Sequence, residues 1–159
     1  MKKIIIFGTG SHSKVVFSEI VKYKDYSVLG FVDGYLKKGK LIEVYKNKKY
    51  KNLGTIRDIK KLKKIYGVIA VGRNYLRKKI FHEVKSIAKD FKWATIISKN
   101  SIINSNVKIG EGSVIISNSI INTGTKIGKH CLINTSSSLD LIPLVYVSGC
   151  SRIHNKSLD

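Results

Sequence analysis

Residues 95–140 read TIISKN SIINSN VKIGEG SVIISN SIINTG TKIGKH CLINTS SSLD. Ile97, Ile103, Ile109, Ile115, Ile121, Ile127, Ile133 and Leu139 place an aliphatic side chain at every sixth position. Two residues before each stands a small one: Thr95, Ser101, Val107, Ser113, Ser119, Thr125, Cys131 and Ser137. A helix repeats about every 3.6 residues and a strand about every 2, so neither explains the spacing. A parallel β-helix does. Each hexapeptide forms one side of a triangular coil, the aliphatic residue fills the interior, and the small residue lets the chain turn the corner.

The repeat begins near Trp93, and the spacing before it is irregular, which divides the chain into two domains. The fold class read from this is α/β. A small Rossmann-like parallel sheet domain covers residues 1–93, a short left-handed parallel β-helix covers 94–140, and 141–159 form an atypical tail. A solenoid of this length depends on stacking between coils and on closure of its ends.

In the first domain, the apolar run Lys3 to Phe7 leads into Gly8-Thr9-Gly10-Ser11-His12-Ser13-Lys14 and then a helical stretch, Val15 to Val21. The order is strand, glycine turn, helix. A second strand is predicted at Tyr26 to Val32, ending in Asp33-Gly34, and a third at Tyr66 to Val71, ending in Gly72-Arg73-Asn74. A helix from Tyr75 to about Lys89 presents Leu76, Ile80, Val84 and Ile87 at helical spacing. Alternating strands and helices imply a parallel sheet that holds ligands at the carboxyl ends of its strands.

Gly8 and Gly10 permit a tight turn and close approach to a ligand, and the helix start that follows offers amides to an anion. The dinucleotide fingerprint G-x-G-x-x-G is broken, because its third glycine is Ser13. His12 and Lys14 stand where they can reach phosphate or sugar oxygens. Asp33 is placed to accept hydrogen bonds from a ribose or a base, although Asp33-Gly34 also reads as a plain turn. His82, His130 and His154 have no such setting: His82 lies on the last helix, His130 faces out of a coil, and His154 is in the tail. No metal spacing is seen among histidines and cysteines.

Composition narrows the functional classes. The formal net charge is +20, and 24 basic against 7 acidic side chains fall in residues 1–93. Only Arg57, Arg73, Arg77 and Arg152 are arginines. A lysine-dominated surface is poor at bidentate phosphate and base recognition, so the charge reads as a solvated face or a preference for anionic small molecules, and nucleic acid is disfavoured. Cys131 and Cys150 give no disulfide framework. No apolar run approaches ~20 residues, so no membrane span is expected, and the chain reads as cytoplasmic.

Four segments together resemble one family: FGTGSHSKVV (7–16), LGFVDG (29–34), VIAVGRNYLRKKI (68–80) and LINTSSSLD (132–140). They are similar, in sequence and order, to bacterial sugar O- and N-acyltransferases of the sialic-acid O-acetyltransferase and UDP-N-acetylbacillosamine N-acetyltransferase type. The resemblance implies that the first domain holds a UDP- or CMP-linked sugar. It also implies that the β-helix assembles as a homotrimer and takes acetyl-CoA as co-substrate, without a metal, in surface-glycan biosynthesis. It assigns nucleotide-sugar contacts to Gly8, Gly10, His12, Lys14, Asp33, Gly72, Arg73 and Asn74.

Departures from the family pattern are informative. Gly34 replaces a second aspartate, and Ser11 and Ser13 replace glycines of the first turn. Where the family has a histidine that deprotonates the acceptor, this chain has Leu141, which cannot take a proton. Asn134 remains as a candidate contact to the acyl carbonyl or its oxyanion, or as an asparagine suited to a coil corner. The repeat also fades after Leu141, so the β-helix is expected to be incomplete, a C-terminally truncated member with a replaced tail. The expected function is an impaired sugar acetyltransferase; the alternative is a non-catalytic nucleotide-sugar-binding module that oligomerises through its β-helix. A nicotinamide-dependent oxidoreductase is a third reading, for which no hydride-transfer residues are seen.

Overall fold

The computed structural model describes residues 1–22, 25–62, 64–134 and 138–139. The chain divides into two compact units, Met1–Ala94 and a second that begins at Thr95.

In chain order the first unit comprises β1 (Lys2–Phe7), α1 (Ser11–Lys22), β2 (Tyr26–Val32), β3 (Leu41–Tyr45), β4 (Lys48–Lys51), a short 3-10 helix (Ile56–Lys61), β5 (Ile65–Ile69), α2 (Asn74–Ile87) and β6 (Lys92–Trp93). Four strands form a parallel sheet in the order β2-β1-β5-β6. β1 is a near-continuous apolar run because it is central and covered on both faces; Ile4, Ile5 and Ile6 are wholly buried. On one face Ile5, Phe7, Val32, Ile65 and Ile69 pack with Ile59 and with Val84 of α2, and Ile80 and Ile87 border them. Phe91 and Trp93 close the core beside Phe7, with ring centroids 5.9 and 5.6 Å from it.

The first two strands and both helices stand where sequence patterning puts them, with ends shifted by a few residues. β3 and β4 were not foreseen. They form a separate antiparallel hairpin around Lys46 and Asn47, both in the left-handed region (φ 46° and 64°), as a two-residue turn with this twist requires. Lys46, Lys48, Lys49 and Lys51 thus belong to a surface hairpin, where Lys48 lies over the Tyr50 ring.

Among the described residues the second unit contains eight two-residue strands: β7 (Ile96–Ile97), β8 (Ile102–Ile103), β9 (Lys108–Ile109), β10 (Val114–Ile115), β11 (Ile120–Ile121), β12 (Lys126–Ile127), β13 (Leu132–Ile133) and β14 (Ser138–Leu139). Each pairs in parallel with the strand three hexapeptides away, giving sheets β13-β10-β7, β14-β11-β8 and β12-β9. These are the three sides of a β-helical coil. Ile115, Ile121 and Ile133 are buried inside, whereas Ile97 and Ile103 of the first coil are 40% and 36% exposed.

The corners differ from expectation in one respect. From the second hexapeptide to the sixth the chain turns at the last residue, where Asn106, Gly112, Asn118, Gly124 and His130 take φ values between 54° and 76°. Of the small residues two places before the isoleucines, Ser113, Ser119, Thr125 and Cys131 are instead buried. Ser113 Oγ donates to Gly128 O (2.8 Å), and Ser119 Oγ lies 2.8 Å from the carbonyls of Ile116 and Asn134, so hydroxyls tie coils together. Nor does His130 simply face outward: its ring lies against Gly112 one coil earlier, where any side chain would collide with it.

A candidate ligand site at the carboxyl ends of the parallel strands

Three loops leave the carboxyl ends of β2, β1 and β5, which are neighbours in the sheet, so the loops are set side by side at roughly 4.8 Å spacing. In the first, Gly8 has φ +106°, and a Cβ there would fall 2.8 Å from Val71 Cγ2 and 3.2 Å from Ala70 O. Its glycine is a structural requirement. Gly10 is different: a Cβ there meets nothing within 4 Å, so no protein contact demands glycine and the backbone stands open to a ligand. Ser13, at the broken third position of the fingerprint, is fully buried and donates through Oγ to Gly10 O at 2.6 Å. The serine closes the turn from within. His12 is half-buried beside it, while Lys14 is half-exposed with Nζ 3.8 Å from Glu43 Oε2 on β3.

The second loop is organised around Asp33. Its Oδ2 accepts from Thr9 Oγ1, joining the first two loops, and its Oδ1 accepts from the Tyr35 amide at 2.9 Å. Beneath it Asn52, 1% exposed, accepts from the Asp33 amide (3.1 Å) and donates to Asp33 O (3.0 Å) and Leu36 O (2.7 Å). Asp33 is therefore a fixed carboxylate at the strand end, and each oxygen retains capacity to accept another donor.

In the third loop, Gly72 and Arg73 are exposed, and Arg73 Nη1 donates to Tyr75 Oη at 3.3 Å, which raises the guanidinium pKa. Arg77 of α2 is 3% exposed and reaches back to Val71 O and Gly72 O (3.0 Å each) and to Asn74 Oδ1 (2.7 Å). It clamps the loop and orients Asn74. The structure thus brings Gly10, Asp33, Gly72, Arg73 and Asn74 to one edge, together with Thr9, Asn52 and Arg77, which sequence reasoning did not assign to the site. Arg77 left a trace as the last residue of VGRN-x-x-R in a lysine-rich chain; Thr9 and Asn52 left none.

In the second unit Asn134 is half-buried, and its carbonyl accepts from Ser119 Oγ. It stands off the phase of the left-handed corners. Leu141 and the tail expected over 141–159 lie outside the described residues. Among the described residues no group of His, Cys, Asp and Glu could hold a metal ion, and no helix is long and apolar enough to cross a membrane.

Residues 3–84, covering α1, most of α2 and the loops of the site, match the family described as the PglD N-terminal domain. The chain belongs to that family. Solved structures with the same fold include a histidine-to-alanine variant of GDP-perosamine N-acetyltransferase from Caulobacter crescentus, in complex with CoA and GDP-perosamine. It is 22% identical with a TM-score of 0.73, over 87% of this chain and 62% of the other. The acetyltransferase domain of PglB from Neisseria gonorrhoeae, in complex with acetyl coenzyme A, is 23% identical with a TM-score of 0.70, over 87% and 64%. WeeI from Acinetobacter baumannii is 21% identical with a TM-score of 0.71, over 86% and 62%. The chain therefore spans less than two thirds of the length of these three proteins. No curated protein is a significant match. The likeness to family and structures gives the α/β class, a Rossmann-like sheet followed by a β-helix.

Proposed function

We propose that the first domain, residues 1–93, binds a nucleotide-linked sugar at the carboxyl edge of its sheet, within a protein of the sugar acetyltransferase type. The observation that carries this reading is the cross-linked set of loops around an unobstructed Gly10, with Thr9 bonded to Asp33 and Arg77 clamping Gly72. The open backbone and the adjoining start of α1 suit a diphosphate, with His12 and Lys14 nearby; Asp33 suits hydroxyl or ring N–H donors. Arg73 and Asn74 are then placed for the sugar side. Support comes from the family and from a similar fold that has been solved with CoA and GDP-perosamine.

Acetyl-CoA is the co-substrate in this reading, and the β-helix over 94–140 provides a homotrimeric assembly in which it binds. Transfer requires a base to take a proton from the attacking amine or hydroxyl as the thioester breaks. Leu141 cannot do so, and Asn134 can at most hydrogen-bond the acyl oxygen, so turnover is slow or absent while capture of the nucleotide sugar persists. That favours the binding-module alternative over efficient catalysis.

The test combines calorimetry with UDP-, CMP- and GDP-linked amino sugars and a thiol-release assay with acetyl-CoA. Binding with thiol release at the blank rate is expected. Release well above blank would overturn the assignment of Leu141 as a lost base, and no binding of any nucleotide sugar would overturn the reading itself.

A further inference from the structure

Six tyrosines stand among the described residues, and four lie in aromatic pairs. Tyr26 and Tyr66 have centroids 5.9 Å apart, and Tyr45 and Tyr50 lie 6.3 and 4.8 Å from Phe17. Tyr35 and Tyr75 are the exposed ones, at 93% and 63%. Tyr35 lies in the loop after β2, and Tyr75 in the first turn of α2, just after the loop that follows β5; β2 and β5 flank β1 and its glycine turn.

Tyr35 is the more telling of the two. Its ring is almost wholly in water, but its backbone is held: its amide donates to Asp33 Oδ1, and Asn52 secures the carbonyls of Asp33 and Leu36 on either side. A flat apolar face is thus presented on a pinned loop, next to Gly34, where a Cβ would meet nothing within 4 Å. Tyr75 differs in that its hydroxyl accepts from Arg73. Water-exposed aromatic rings on pre-positioned backbone are suited to stacking against a nucleobase, and every base offers a π-face.

We infer that Tyr35 is the stacking platform for the base of a nucleoside diphosphate whose phosphates occupy the Gly8–Gly10 turn. This rests on the nucleotide-sugar reading and adds to it the element that grips the base. Stacking selects for a base over none, while discrimination between bases falls to polar groups such as Asp33.

The experiment is calorimetry of the full chain, its Tyr35→Ala variant and its Tyr35→Phe variant with UDP, GDP and inorganic pyrophosphate. Tyr35→Ala should weaken UDP and GDP about tenfold or more, the loss of one base stack, and leave pyrophosphate affinity unchanged. Tyr35→Phe should bind all three as the parent does, and melting temperatures should coincide because the ring is exposed. UDP and GDP affinities in Tyr35→Ala equal to the parent's, or an equal loss for pyrophosphate, overturn the inference while leaving the site in place. Failure of the parent chain to bind either nucleotide overturns the nucleotide-sugar reading as well.

Discussion

Arg77 and Asn52 are polar side chains inside the first unit whose hydrogen bonds go mainly to loop carbonyls and amides. A buried acceptor left unsatisfied costs about 1–3 kcal/mol. Arg77→Ala strands three acceptors, so an aggregate loss of about 2–4 kcal/mol is expected once partial relaxation and water entry are allowed for. Trp93, which packs against Phe7 and Phe91, reports it as a fall in the urea midpoint followed by fluorescence. Arg77→Lys should not rescue, because one ammonium cannot span the positions of a planar fork; full rescue would show that charge alone matters. At this scale the glycine turn and Asp33 were legible from sequence because their residue types are unusual after a strand. Asn52 was not, since an asparagine within a lysine-rich run carries no sign of burial. Ser13 misled: it broke a motif in sequence yet closes the turn in three dimensions.

Among the elements, the β-helix was read from its period alone, since a repeat of six admits few alternatives. The β3–β4 hairpin was missed because its strands are short: β3 (LIEVY) shows no strict alternation, and β4 (KKYK) has a single apolar residue. Interior positions of the β-helix differ in weight. Ile121→Ala, at a wholly buried site, should cost about 2–5 kcal/mol, and Ile103→Ala, 36% exposed, less than about half of that. Amide hydrogen exchange over residues 113–133 reads the difference; equal effects would contradict a gradient of burial from the first coil inward. The 3-10 helix supplies a pH test. Hydrogen bonding from Lys38, then from the Thr55 amide and hydroxyl, lowers the Asp58 pKa to about 2. A carboxyl depressed on folding stabilises above its unfolded value of 3.8 and loses that contribution as pH falls through about 2. The stability difference between parent and Asp58→Asn should therefore shrink between about pH 4 and pH 2. A constant difference would exclude the charge of Asp58 as its cause.

For the molecule as a whole, the net charge of +20 is concentrated in the first unit, where Lys46, Lys48, Lys49 and Lys51 lie on the surface hairpin. Non-specific attraction to nucleic acid should follow counterion release, disappearing at moderate salt without sequence preference. Binding of duplex DNA that survives 0.3 M salt, an order-of-magnitude threshold of about twice the physiological level, would require a built interface instead. The charge pattern pointed to a solvated face or a preference for anionic small molecules without naming one, because lysines define a potential, whereas recognition depends on where the loops fold. The central claim concerns that folded edge: a nucleotide sugar rests on the open backbone of Gly10. Calorimetry of the parent chain and Gly10→Val with a UDP-, CMP- or GDP-linked amino sugar tests it most directly. The variant should keep its melting temperature, since a Cβ there meets no protein atom, and should lose the binding seen in the parent. Unchanged affinity in Gly10→Val, or no binding in the parent, would contradict the account.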